Sequence, residues 1–326
     1  MEALRRAARR IRAELYTRSG VDRRVRRRLD GTCAAILAYH RVLPADVAAR
    51  ACVEPGMFVT PESFRLHLAC LSRDFRVLPL RELVARLLAG ERLPERSCAI
   101  SFDDGWRDNH DHAWPALREA GVPATIFLVT DRVGTAGDFW PDEVARRAGS
   151  LTPDRLAALG VGTAAAPTLI EELKQLPEGE RERRLDVLRA ATPDLAPPGR
   201  QLLDWDEVHA MARDGIDFES HAASHTMLTA LPAARVLDEL SRSRATLREY
   251  GLGAGGLLAY PNGSFNADVM ESARRAGYAA AFTIEPALAK LGHPLHRLPR
   301  IGLHEDVSGS AAEFHWLVPG RGLRRR

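Results

Sequence analysis

Short apolar runs recur along the chain, separated by stretches of helical period. The runs are 33–39 (CAAILAY), 98–102 (CAISF), 123–129 (PATIFLV), 216–220 (IDFES), 256–260 (GLLAY), 279–284 (AAAFTI) and 298–303 (LPRIGL). Each has strand length, and near-continuous apolar character is what a strand covered on both faces shows. The segments between them carry helix punctuation. Thr60 before Pro61 reads as an N-cap with proline in the first turn, and Gly90, Gly121, Gly215 and Gly277 each close a helical pattern. Strand alternating with helix predicts an α/β fold on a parallel sheet. Residues 131–203 break this rhythm. "FWPDEVARRAG" and "APTLIEELKQLPEGERERRLDVLRAATPDL" predict a mostly helical insertion between two strands.

Several of the strands end in chemically able residues. His40 follows the first, Asp103 and Asp104 the second, His221 the fourth, and Pro261-Asn262-Gly263 comes just after the fifth. In a parallel barrel the C-terminal strand ends converge on one face, so residues remote in sequence meet there. The chain has 326 residues, a length that suits a single α/β barrel with insertions.

Charge separates the ends from the middle. Residues 1–28 hold eleven arginines against Glu2, Glu14 and Asp22, a net charge of about +8, which leaves about −5 for the rest of the +3 chain. The body is therefore not a nucleic-acid surface by charge. Leu4, Ala7, Ala8, Ile11 and Leu15 stand at near-helical spacing among those arginines. The segment reads either as an amphipathic helix on an anionic membrane surface or as a solvated helix on the barrel. No apolar signal core follows it, and Cys33, Cys52, Cys70 and Cys98 have irregular spacing without a CxxC. Free thiols and a cytoplasmic location, peripheral to the inner membrane face if residues 1–28 touch it, are the expectation.

The most informative stretch is "CAISFDDGWRDN". Asp-Gly alone is an ordinary turn dipeptide. Two adjacent carboxylates at a buried strand end nevertheless disfavour each other's ionisation, and a cation offsets that. In "ESHAASHTMLTAL", His221 and His225 are four apart, which on a helical turn puts both imidazoles on one face. Eleven histidines make a chance pair at that spacing common. Joined to an Asp-Asp-Gly strand end, the pair reads as an open metal site of two imidazoles and one carboxylate, with the second carboxylate left as a base.

"SFDDGWRDN", "SHAASHTML" and "LLAYPNGSFN", in that order, resemble the motifs of the NodB-homology polysaccharide deacetylases, carbohydrate esterase family 4. "ILAYHRVLP" resembles the first strand of the branch whose barrel is circularly permuted. The resemblance runs from about residue 33 to 305. It implies a distorted (β/α) barrel of about seven parallel strands with the helical insertion, and metal-dependent hydrolysis of N-acetyl groups on amino sugars. The organisation expected is a basic helical segment at 1–30, the barrel at 31–310 with its insertion at about 131–203, and a basic tail at 311–326.

Carried over by position, the resemblance makes Asp103 the general base, His40 the general acid, and Asp104, His221 and His225 the ligands of a divalent metal, with zinc best suited to that donor set. It places the Asn262 backbone at the oxyanion; Pro261 and Tyr260 are grouped with it as substrate-side candidates, Tyr260 being either a packing residue or a groove wall. Ala222 and Ala259 depart from the family pattern. Ala259 stands where many members have an arginine paired with the catalytic aspartate, and Arg300 either replaces it or lies on the surface. His304 rivals His40 as the acid. Trp106, Trp140 and Trp205 are candidates for stacking on sugar rings, with Trp205 equally suited to packing at a helix start. The partner expected is an acetylated amino-sugar glycan. An O-acetyl esterase or deformylase acting on a lipid-linked sugar, and a catalytically silent glycan-binding barrel, are the alternatives.

Overall fold

A computed structural model describes residues 2–21, 29–51, 53, 55–137, 139–161, 166–176, 178–195 and 199–318. Seven parallel strands form the frame: β1 (Cys33–Tyr39), β2 (Ser97–Phe102), β3 (Thr125–Leu128), β4 (Asp217–Ser220), β5 (Leu257–Ala259), β6 (Ala280–Phe282) and β7 (Ile301–Gly302). β1 pairs with β2, and each strand from β2 to β6 pairs with the next. β7 pairs with β1 through Leu37↔Ile301, and a parallel bridge joins Phe282 to Leu298. The segment 298–302, which contains β7, thus lies between β1 and β6 and closes a distorted (β/α) barrel.

Alternation along β1 shows how the core divides. Ala34 and Ile36 face an inner cluster with Phe127, Phe282 and Leu298. Ala35, Leu37 and Tyr39 face an outer cluster with Phe64, Leu68, Leu117 and Val208. Every residue of β1 is buried, as its unbroken apolar run requires. The outer layer contains α2 (Pro61–Asp74), α4 (Trp114–Ala120), α8 (Trp205–Arg213), α9 (Ala233–Glu249) and α10 (Ala267–Arg275), while Leu83 and Leu87 of α3 (Leu80–Ala89) pack on the inner cluster. Thr60 caps α2 by accepting from the Ser63 N–H, and Gly90 and Gly121 end α3 and α4 in left-handed backbone, as their positions predict.

Between β3 and β4 the chain builds α5 (Trp140–Gly149), a short helix Pro153–Ala158, α6 (Ala166–Lys174) and α7 (Glu178–Ala191). These share a separate cluster of Val144, Leu156, Ile170, Leu173, Leu185 and Leu188. The insertion is helical, as expected, and stabilised by its own small core.

The ends differ from the simple division into segment and tail. α1 (Glu2–Arg18) docks on α11 (Ala311–Leu317) through Tyr16 packed edge-on to Trp316, with ring centroids 5.1 Å apart, and through Arg9–Glu313. Residues 311–317 therefore belong to the body: Phe314 is fully buried in the outer cluster. The arginines of 22–28, the residues 319–326 and Cys52 lie outside the described residues. Cys33, Cys70 and Cys98 are buried.

Candidate active site

The two aspartates after β2 take opposite partners. Asp103 continues the strand, its N–H donating to Tyr39 O at 2.9 Å. Arg300 holds its carboxylate at both oxygens, Nη1 to Oδ1 and Nη2 to Oδ2, each at 2.7 Å. Arg300 is fully buried, and its remaining donors reach Thr283 O and Ser101 Oγ. Burial opposes ionisation of Asp103, but the Arg300 charge and its hydrogen bonds outweigh that and lower the pKa. Arg300 therefore does not lie on the surface: it turns inwards and reaches Asp103 from the segment that closes the barrel.

Asp104 turns the other way in left-handed backbone, φ +76°. Gly105 follows at φ +76°, and a Cβ there would stand 2.6 Å from the Leu128 side chain, so the turn needs glycine for space as well as conformation. Asp104 Oδ2 accepts from Trp106 Nε1 at 2.8 Å. Its Oδ1 is buried without a hydrogen-bond partner, although Nε2 of His221 and of His225 each stand 3.3 Å away. His221 donates from Nδ1 to Ala259 O at 2.8 Å, because a carbonyl only accepts. In its neutral form His221 would turn its Nε2 lone pair towards a carboxylate oxygen. That arrangement fits a cation, and the ligand atoms of Asp104, His221 and His225 lie within 4.8 Å of one another.

The histidine motif is not the helical turn its spacing predicts. Residues 221–227 form a loop, with Ala222 at φ +64° and His225 at φ +68°. The reversal, rather than a helical face, brings the rings to a centroid separation of 5.0 Å. Glu239 holds the loop, accepting from Ser224 N–H and Oγ at 3.0 Å each. Asn262 is also left-handed, φ +54°. Four of the five such non-glycine residues described are thus at this site, where the sparsely populated backbone conformations cluster.

His40, just beyond β1, places Nε2 4.0 Å from Asp103 Oδ2. Burial depresses its pKa, and the Asp104 and Asp103 charges oppose that only in part. The backbone here is fixed by residues the sequence reading passed over. Asn109 Nδ2 donates to His40 O at 2.9 Å, and buried Asp108 accepts from Arg41 Nε and Val42 N–H, both at 2.8 Å. The signal was present in "WRDN", four residues past the aspartates. His304 is committed to the carboxylate of Asp306.

The cleft is lined by His40, Asp103, Asp104, His221, His225 and Asn262, with Glu171, Lys174 and Gln175 added from the insertion. Other candidates lie elsewhere. Tyr260 is buried in a separate cluster and its hydroxyl donates to His296 O at 3.0 Å, so its side chain is core rather than substrate wall. Pro261 is buried and shapes the turn into Asn262. None of the three tryptophans is a free platform. Trp106 is fully packed under the Arg41 guanidinium at 3.9 Å, Trp205 stacks on Tyr250 at 3.7 Å, and Trp140 packs in the insertion beneath Arg181. Phe139, by contrast, was missed, and its ring supports His225 at a centroid distance of 4.8 Å.

Residues 90–281 match the polysaccharide deacetylase family. The chain is 21% identical over 277 residues to YxkH of Bacillus subtilis (strain 168), which carries a polysaccharide deacetylase name, across 85% of this chain and 73% of that protein. It is 22% identical over 236 residues to a poly-beta-1,6-N-acetyl-D-glucosamine N-deacetylase of Staphylococcus aureus (strain N315), across 72% of this chain and 64% of that protein. Its fold is similar to that of the Streptococcus pyogenes deacetylase PplD in complex with acetate, with a TM-score of 0.59 at 18% identity over 85% of this chain and 94% of that chain.

Proposed function

The chain belongs to the polysaccharide deacetylase family, and from that premise we propose that it hydrolyses the N-acetyl group of an amino sugar within a glycan. The observation that carries this reading is the division of labour between Asp103 and Asp104. One carboxylate is gripped by an arginine beside an imidazole; the other is surrounded by two imidazoles and keeps a buried oxygen unsatisfied.

Asp103 is the general base, taking a proton from the water that attacks the acetyl carbon. Arg300 fixes both its oxygens and keeps it ionised, at some cost in basicity. The new C–O bond puts negative charge on the acetyl oxygen, and the left-handed turn at Asn262 presents backbone N–H to it. His40 gives its proton to the nitrogen as the C–N bond breaks, so acetate and a free amine leave. A positioned base or acid contributes roughly 10²–10⁴-fold. Asp104, His221 and His225 would hold a divalent ion, with zinc suited to one carboxylate and two imidazoles. When bound, it supplies Lewis-acid charge beside the scissile carbonyl.

The staphylococcal relative's name makes β-1,6-linked N-acetylglucosamine polymer the first substrate to assay. Acetate release should be followed across that polymer, other N-acetylated oligosaccharides, lipid-linked acetylated sugars and O-acetylated glycans. Release from an N-acetyl substrate, lost in Asp103→Asn, is the result expected. Release from O-acetyl substrates alone would replace the amidase reading with an esterase.

A further inference from the structure

We propose that α1 is a membrane-docking helix: it fixes the enzyme to its own body by one face and presents the opposite face to an anionic lipid surface. Arg9, Ala13 and Tyr16 define the inner face. Ala13 and Tyr16 are buried, and Arg9 reaches Glu313 of α11 at 3.7 Å. At 3.6 residues per turn, Ile11 and Leu15 project from roughly the opposite side. Both are 62% exposed, and Ala7 and Ala8 on the same stripe are exposed as well. Ile11 and Leu15 are two of only six large hydrophobic side chains recorded as exposed among the described residues, and they are one helical turn apart.

The charge around this stripe says what covers it. Arg12 lies to one side and Arg10 to the other, both exposed, while Glu14 is engaged by Arg18 at 3.8 Å. An apolar stripe flanked by arginines suits the boundary between acyl chains and anionic headgroups. A second copy of this chain would bring the same arginines face to face. At the C-terminal end of the stripe, Leu15, Tyr16, Val21 and Trp316 line a surface recess. Trp316 is half-buried, and an indole beside an exposed leucine suits a lipid–water interface. No helix among the described residues is long and apolar enough to cross a membrane, so the contact is peripheral and reversible.

The test is co-sedimentation of the whole chain with phosphatidylcholine vesicles, with and without phosphatidylglycerol, at low and high salt. Binding should require phosphatidylglycerol and be released by salt, since surface charge attraction is screened. Ile11→Glu with Leu15→Glu should weaken partitioning more than 10-fold, and Arg10→Glu about 5-fold or more. Arg213→Glu, a charge change on exposed α8, should leave it unchanged. Melting temperature is read on every variant, so that loss of binding is separated from loss of fold. No binding to anionic vesicles at low salt overturns the proposal. Equal binding by the Ile11/Leu15 variant overturns it too, as does a concentration-dependent dimer that this variant abolishes while vesicle binding persists.

Discussion

His67 on α2 and His221 after β4 are both buried imidazoles, and they show how a structural histidine differs from a chemical one. His67 is satisfied at both nitrogens. Its Nε2 donates to Ser308 O at 2.6 Å, Nδ1 accepts from the Tyr39 hydroxyl at 3.2 Å, and Phe314 stacks on the ring. Burial pushes its pKa down to about 4, so it is neutral and inert. His221 is satisfied at Nδ1 only. Burial opposes its charge as well, but the Asp103 and Asp104 carboxylates outweigh that and raise its pKa. What marks a site is the unmet demand left after packing, here one nitrogen and one carboxylate oxygen facing each other.

The largest effect expected is on the chemical side. Asp103→Asn should lower kcat by roughly 10²–10⁴-fold with divalent-ion stoichiometry intact. His221→Ala or Asp104→Asn should lose the ion together with activity, and excess metal should partly rescue Asp104→Asn but not Asp103→Asn. Metal analysis beside steady-state kinetics checks this; retention of the ion in both His221→Ala and Asp104→Asn would break the comparison.

On the structural side, His67→Ala strands the Tyr39 hydroxyl and Ser308 carbonyl inside the fold. A loss of about 4 kcal/mol in urea unfolding is expected, with ion stoichiometry unchanged.

The pH dependence follows from the same residue. Its folded-state pKa of about 4 lies below the ordinary histidine value of 6.5, so the unfolded chain binds the extra proton in that window. The contribution is fully present above about pH 6.5 and disappears as pH falls towards 4, a change of about 3 kcal/mol. Urea unfolding of the wild-type and His67→Gln proteins at pH 7 and pH 5 should show a steeper decline in the former. Parallel profiles would remove His67 as the cause.

The smallest effect belongs to His304, whose ring is held by Asp306. His304→Ala should change kcat less than about 3-fold, whereas His40→Ala should approach the Asp103→Asn loss. The reverse order would move the acid to the other strand end.

Local signals in the sequence carried far. The strands, the glycine helix stops and the helical insertion all follow from apolar period and punctuation, which neighbouring residues determine. Asp103, Asp104, His221 and His225 were legible because each ends or follows a strand. Direction was not. Whether Arg300 turned inwards depended on the 298–302 seam meeting both β1 and the end of β6, a long-range pairing without a local signature. Trp106 read as a sugar platform, yet its indole N–H bonds Asp104 because the turn folds it under the Arg41 guanidinium. The His221–His225 spacing was right and its helical explanation wrong, since left-handed residues re-aim a loop in a way spacing cannot show.

The seam also has a consequence for how the protein is made. During synthesis β1 emerges early, but the segment that lies beside it is some 260 residues further along the chain. A nascent chain released before Arg300 leaves the ribosome has an open barrel and an Asp103 with no guanidinium to meet it. Closure of such distant contacts is slow, and the unpaired edge is exposed while it waits. The Asp103–Arg300 pair therefore forms only once the segment 298–302 has been made, so an interruption anywhere before Arg300 leaves the barrel seam and that ion pair incomplete.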